Sequence, residues 1–359
     1  MSNLPDWARA LGPTPFVARI RSAPDDFVVT EKLEIEFSND GEHDWLRVEK
    51  TNANTHWVAE QLAKHVGIKL RDVGYAGLKD RYAVTQQWFS VRRPSVDSTD
   101  WQSFEAEGVR IVEQRLHRRK LRRGAHRGNA FRIALRGDDI APHQEEIAER
   151  LAQIKSRGVP NYFGEQRFGR DGANVDLGRS LFSGRRLIRH KRSIALSAVR
   201  SFLFNEILDS RVRDGSWEKI LQGELANLDG SGSVFAVKDV SSEIVARCAA
   251  FDIHPTATLW GSQAPRGTDS VASLENAATA PYTELCDGLL RVGVDASSRP
   301  LRVRVQDLRW ELADDALWLE FELSKGSYAT TVLREIADVT TPAIARTGRP
   351  SRHQPALLK

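Results

Sequence analysis

Alternating apolar and polar residues mark both ends of this chain, and a more helical pattern separates them. Leu317, Leu319, Phe321 and Leu323 fall on one face of an extended segment, with Trp318, Glu320 and Glu322 on the other, because successive strand side chains point to opposite sides. Phe131, Ile133 and Leu135 alternate in the same way with Arg132 and Ala134. Phe27–Leu33 and Trp45–Lys50 are rich in β-branched or aromatic residues, flank the turn-rich Ser38-Asn39-Asp40-Gly41, and read as paired strands. A β-rich start and a β-rich end point to one sheet-based domain, with the helical middle inserted into it. Asn54 reads as an N-cap for a helix carrying Val58, Leu62 and Val66, stopped at Gly67. Pro142 opens another, with Ile147, Leu151 and Ile154 on one face, and Gly158 and Pro160 close it at the predicted domain boundary. From 160 to about 303 the pattern is more helical, broken by the polar Asp229-Gly230-Ser231-Gly232-Ser233 and a loose stretch from Gly261 to Ala280. A last helix is expected over Ala329–Ile336.

The 359 residues allow about two domains, and 41% hydrophobic with 28% charged residues excludes disorder and collagen. Cys248 and Cys286 are too few for a disulfide framework. The nine His are scattered and neither CxxC nor HExxH occurs, so no structural metal is expected. Pro5, Asp6, Arg9, Gly12, Pro13 and Pro15 interrupt Met1–Ile20, and nowhere do about 18 apolar residues run together. Neither a secretion signal nor a membrane span is therefore expected, and the cytoplasm is the default compartment. The net charge of +4 is small, which leaves local clustering to identify partners.

Two stretches carry the strongest chemical suggestion. In Gly74–Gln87, Asp80 stands between Lys79 and Arg81 in a Gly-flanked loop before a strand over Trp88–Val91. Neighbouring cations favour an ionised carboxylate there, offered to a ligand. On composition alone, a solvated turn with an ordinary surface ion pair is the commoner reading. The second stretch runs from Arg115 to Phe131, where Arg115, Arg118, Arg119, Lys120, Arg122, Arg123 and Arg127 appear with no acid among them. That suits phosphate contacts, and nucleic acid is the natural partner. Asn129 and Phe131 close it two residues apart and share a face if both are in a strand. Such a pair suits the edge and face of a pyrimidine, though Phe131 serves equally as core packing. Further cations cluster at Arg185, Arg186, Arg189, Lys191 and Arg192, and again at Arg346, Arg349 and Arg352. The aromatic and Gly-rich segment from Val159 to Gly172 fits the sealing of a domain junction better than RNA stacking.

Taken together, AGLKDRYAVTQQWFSV (76–91), KLRRGAHRGNAFRIAL (120–135), GVPNYFGEQRFGRDGANV (158–175), SAPDDFVVTE (22–31) and SKGSYATTVLREI (324–336) resemble the TruD family of tRNA pseudouridine synthases, in the family's order and over nearly the whole chain. The resemblance implies an α+β fold, a mixed and largely antiparallel sheet flanked by helices. Residues 1–157 and 304–359 would form the catalytic domain and 158–303 an inserted TRUD domain. It implies isomerisation of uridine to pseudouridine in tRNA, at position 13 in bacterial members, with no cofactor and no protein partner required. Asp80 matches the catalytic aspartate. Phe27, Asn129 and Tyr328 match the uridine pocket, with Phe131 beside them. Arg21 stands where some members have a pocket lysine, and Tyr328 where some have Phe. Arg115, Arg118, Arg119, Lys120, Arg122 and Arg123 would line the tRNA cleft. One carboxylate is compatible with attack on the sugar, attack on the uracil ring or removal of the 2′ proton. A non-catalytic RNA-binding factor and a base-releasing glycosidase are the competing readings.

Overall fold

A ten-stranded sheet organises the computed structural model, which describes residues 4–94, 99–262, 267–313 and 315–342. Arg346, Arg349 and Arg352 lie outside the described residues. The sheet comprises β1 (Val17–Arg19), β2 (Phe27–Lys32), β3 (His43–Thr51), β4 (Val73–Tyr75), β5 (Val84–Arg92), β6 (Val109–His117), β7 (Gly128–Arg136), β8 (Gln306–Ala313), β9 (Ala316–Ser324) and β10 (Asp338–Thr340). The main order is β8-β9-β7-β2-β5-β3-β6, with β4 on β5, and β1 on β7 and β10. The expected α+β class, with a mixed and largely antiparallel sheet, is the one found. β2 pairs antiparallel with β7 but parallel with β5, and β3 pairs antiparallel with both β5 and β6.

The predicted pairing of the first two long strands is therefore wrong, since β5 lies between β2 and β3. A connection from Leu33 to Glu42 is long enough to step across a strand, whereas a direct pair calls for a tight hairpin. β5 also starts at Val84, earlier than the predicted Trp88. The helix α1 (Thr55–His65) matches expectation, and the Asn54 side chain accepts the His56 N–H as its N-cap. Val58 and Leu62 bury against Leu46 and Val48 of β3 and Phe89 and Val91 of β5, each contributing about 1.5–3 kcal/mol. The opposite face of the same strands holds Trp45, Trp88 and Leu121. Along β9, Leu317, Leu319, Phe321 and Leu323 are all buried, as their alternation requires.

The described chain divides into two compact units. Phe16–His143 and Arg309–Phe321 belong to the sheet-bearing unit, which Asp338–Thr340 joins. The other takes in the chain up to Pro15, Gln144–Leu308 and Glu322–Ala337. Its helices are α2 (Gln144–Arg157), α3 (Ala173–Phe182), α4 (Arg189–Arg213), α5 (Ser242–Ala249), α6 (Asp269–Thr279), α7 (Thr283–Val292) and α8 (Ala329–Leu333). Arg150 of α2 donates to the carbonyls of Pro13 and Glu335, which ties both distant pieces of chain to this unit. Trp7, Tyr162, Phe168, Phe202 and Leu203 lie in its main apolar cluster.

One expectation for the middle fails, and a small sheet stands beside its helices. Residues 269–279, inside the predicted loose stretch, form α6. The Asp229–Ser233 patch is the turn of a hairpin in a four-stranded antiparallel sheet made from Val234–Ala236, Leu225–Leu228, Ile253–Leu259 and Ser297–Pro300. Short strands and Pro255 hide this sheet, because proline normally argues against a strand interior. The terminal helix α8 is also shorter than the predicted Ala329–Ile336.

Candidate active site

The loop from Ala76 to Ala83 joins β4 to β5 and is fastened from three directions. Lys50, at the inner end of β3, donates from Nζ to the carbonyls of Ala53 and Asp80, both at 2.7 Å. Burial pushes its ammonium down to about 8, opposed by Asp80 and reinforced by Lys79. Thr55, at the start of α1, accepts the Lys79 N–H at 3.1 Å and donates to Gln87 Oε1 at 2.9 Å. Gln87 on β5 in turn donates to the Gly77 carbonyl at 3.1 Å. Lys79 turns inward, its Nζ 2.9 Å from Glu31 Oε2, with the two side chains 5% and 0% exposed. Glu31 also accepts the Trp88 N–H. Asp80 alternates outward, and its side chain is 46% exposed.

Parallel pairing of β2 and β5 aligns Val28 with Val84, so the segments leading into both strands arrive at one end of the sheet. Arg21 and Asp80 meet there, with guanidinium and carboxylate 3.2 Å apart. The Arg21 carbon Cζ lies 4.0 Å from the centre of the Phe27 ring, a cation–π contact. Arg21 has φ of +60°, a left-handed conformation unusual for a residue with a Cβ. Such backbone outliers concentrate where a side chain must be aimed. Arg81, the other cation beside Asp80 in sequence, instead lies over the Tyr82 ring at 5.4 Å.

Antiparallel pairing of β2 and β7 sets Phe27 opposite Ile133, Val29 opposite Phe131 and Glu31 opposite Asn129. Directly opposed residues share a face, so Phe27, Glu31, Asn129 and Phe131 do too. Phe131 meets Phe27 edge-on at 6.4 Å and stacks on Phe321 at 5.4 Å. Its ring is thus also core. Asn129 is half-buried, and its Oδ1 is a buried acceptor without a hydrogen-bond donor among the described residues. Unsatisfied buried acceptors are costly and rare.

Tyr328 belongs to the helical unit. It precedes α8, accepts a hydrogen bond on Oη from Arg167 at 2.8 Å, and lies 6.4 Å from Phe163. The half-buried Arg299 covers the other ring, Cζ 4.1 Å from the Phe163 centre, and donates to Asn161 Oδ1 at 2.5 Å. Burial pushes its guanidinium down to about 10. Asn205 holds the Phe163 backbone through both its N–H and its carbonyl. The segment read as a junction is thus largely core of one unit.

A family model described as tRNA pseudouridine synthase D (TruD) matches residues 11–187 and 183–336. The chain is 44% identical over 336 residues to tRNA pseudouridine synthase D of Methylococcus capsulatus, covering 93% of this chain and 94% of the relative. The chain belongs to the tRNA pseudouridine synthase D family. The relative from Xanthomonas euvesicatoria is 45% identical, with 95% of this chain and 96% of the relative covered. A solved structure from Methanosarcina mazei, described as a candidate tRNA pseudouridine synthase D, superposes with TM-score 0.71 over 94% of this chain and 96% of that one. At 19% identity it speaks for the fold.

In this member of the tRNA pseudouridine synthase D family, the sheet unit brings together Arg21, Phe27, Asp80, Asn129 and Phe131. Sequence reasoning missed the residues that fix the Asp80 loop: Glu31, Lys50, Thr55, Lys79 and Gln87. Lys50 shares its strand parity with the buried Leu46 and Val48, and Glu31 with Phe27 and Val29. Charges on inward positions were the available signal.

The basic run is acid-free only along the sequence. Arg118 pairs with Asp40 through Nε at 2.8 Å and a terminal nitrogen at 2.5 Å, and this holds the Asp40 carboxyl below its ordinary range. Arg115 pairs with Glu113 and Arg127 with Glu34. Arg123 lies over the Tyr75 ring and donates to its hydroxyl, and Lys120 donates to the Arg71 carbonyl. Arg119 and Arg122 are exposed without a side-chain partner among the described residues. Arg185, Arg186, Arg189, Lys191 and Arg192 are likewise all exposed, around the start of α4.

Proposed function

We propose that this chain isomerises a uridine of tRNA to pseudouridine in the cytoplasm, at position 13, without a cofactor and with Asp80 as the reacting carboxylate. The observation that carries the reading is the Asp80–Arg21 pair, 3.2 Å apart, with the Arg21 guanidinium seated on Phe27. Its partly exposed carboxylate is open to a ribose.

In this reaction the bond from ribose C1′ to uracil N1 breaks, the base turns, and C5 joins C1′. C5 then gives up its proton and N1 takes one, so no atom is gained or lost. A developing positive charge on the sugar is stabilised by a nearby carboxylate, as in glycoside cleavage. Arg21 holds that carboxylate in place before substrate arrives. Asn129 Oδ1, an acceptor without a donor among the described residues, suits the uracil N3–H. Phe27 and Phe131 are both buried and give the site a dry apolar floor that keeps water from a detached base. Tyr328 is assigned to the same pocket on its family position alone. Residues 158–303 are read as the inserted domain, and Arg119 and Arg122 with the cations from Arg185 to Arg192 as phosphate contacts.

The test is incubation of unmodified tRNA with the protein, followed by mapping of pseudouridine. Asp80→Asn is expected to abolish product while tRNA binding persists. Turnover at the wild-type rate in that variant would refute the role of Asp80. Persistent RNA affinity with no altered uridine, in the wild-type protein, would leave a binding factor.

A further inference from the structure

Two residues before Asp80, Leu78 is 67% exposed. On a frayed loop this would mean little. Here the carbonyl of Gly77 accepts from Gln87, the N–H of Lys79 donates to Thr55, and the Lys79 side chain is buried on Glu31. The backbone on both sides of Leu78 is thereby fixed, and a large apolar group is held in solvent. Other side chains around Asp80 are engaged: Arg21 with Phe27 and Asp80, Lys79 with Glu31, and Arg81 with Tyr82.

We propose that Leu78 is a wedge that enters the RNA stack beside the target uridine and keeps that nucleotide out of it. The proposal rests on the reading of Asp80 as the reacting carboxylate. A carboxylate that must reach ribose C1′ needs its nucleotide extruded, and extrusion leaves an unstacked base step behind. Proteins that open such steps insert apolar side chains, leucine among them. Two residues of chain span at most about 7 Å, and stacked nucleotides rise about 3.4 Å along a strand. A side chain two positions from Asp80 therefore reaches the adjoining step.

The experiment places 2-aminopurine next to the mapped target uridine of a tRNA transcript. Bound to Asp80→Asn protein, the fluorophore should brighten as the step opens. With Asp80→Asn/Leu78→Ala the gain in brightness should fall severalfold. In the protein with Asp80 intact, Leu78→Ala should lower the single-turnover rate at saturating protein about tenfold or more, as loss of a step-opening wedge implies. Leu78→Met, which retains apolar volume, should recover most of both signals. Unchanged brightness overturns the wedge whatever the rate does, and so does an unchanged rate. Full activity of Asp80→Asn would instead sink the reading of Asp80, a result read without reference to Leu78.

Discussion

Replacing Lys79 by Met tests whether the buried ion pair with Glu31 fastens the Asp80 loop. Both side chains are nearly inaccessible, with Nζ and Oε2 2.9 Å apart. Removal of one partner strands a charge in a low-dielectric interior, which costs about 3–5 kcal/mol. At roughly 2–4 °C per kcal/mol for a unit of 150–250 residues, the thermal midpoint should fall by roughly 6–20 °C. Met preserves most of the apolar stem, so packing loss contributes little. Glu31→Gln in the same background removes the stranded carboxylate, and Lys79→Met/Glu31→Gln should cost less than the two single changes summed, by about 1–3 kcal/mol. Unfolding monitored thermally and in urea supplies the four corners of that cycle. Below the melting range, turnover should fall in the single variant with little change in tRNA affinity, because the loop and not the RNA surface has moved. A Lys79→Met penalty under about 1 kcal/mol, or strict additivity with Glu31→Gln, would refute the reasoning.

Removal of the Asn129 acceptor by Asn129→Ala should lower kcat/KM about 10- to 100-fold, the effect of one lost hydrogen bond to a desolvated substrate. An unchanged value, measured as tritium released from C5 of labelled uridine in the tRNA, would exclude that contact. Lys50 titrates in the folded state near 8, below its ordinary value. From about pH 8 to pH 10.4, folded protein has released a proton that unfolded protein keeps, so this group's contribution to stability rises with pH by up to about 3 kcal/mol. It is lost as pH falls through 8, and Lys50→Met should remove that slope from the difference between the two unfolding profiles. For tRNA binding, Arg119→Ala/Arg122→Ala should reduce the salt slope by about 1–2, and Arg118→Ala by less, because Asp40 already neutralises it. Affinity measured across a salt series checks both.

Local order was legible wherever one periodicity or one cap decided it. The Asn54 cap, the α1 apolar stripe and the alternation from Leu317 to Leu323 depend only on near neighbours. Pairing between distant strands was less so, since nothing in Phe27–Leu33 or Trp45–Lys50 says that Val84–Arg92 will lie between them. The same holds for charge. Arg118 and Arg127 look unopposed in sequence, and the acids that meet them, Asp40 and Glu34, come from another part of the chain. Of the candidate site, Asp80 and the Asn129–Phe131 face were visible as motif and parity, but Lys50 and Glu31 were passed over as ordinary strand charges.

The one parallel neighbour of β2 has a kinetic consequence. Val28 and Val84 are far apart along the chain, with β3, α1 and β4 formed from what lies between. Closing such a long loop is slow compared with local helix or hairpin formation. During refolding, helical signal should therefore recover before Arg21 reaches Asp80, and regain of turnover should lag behind it.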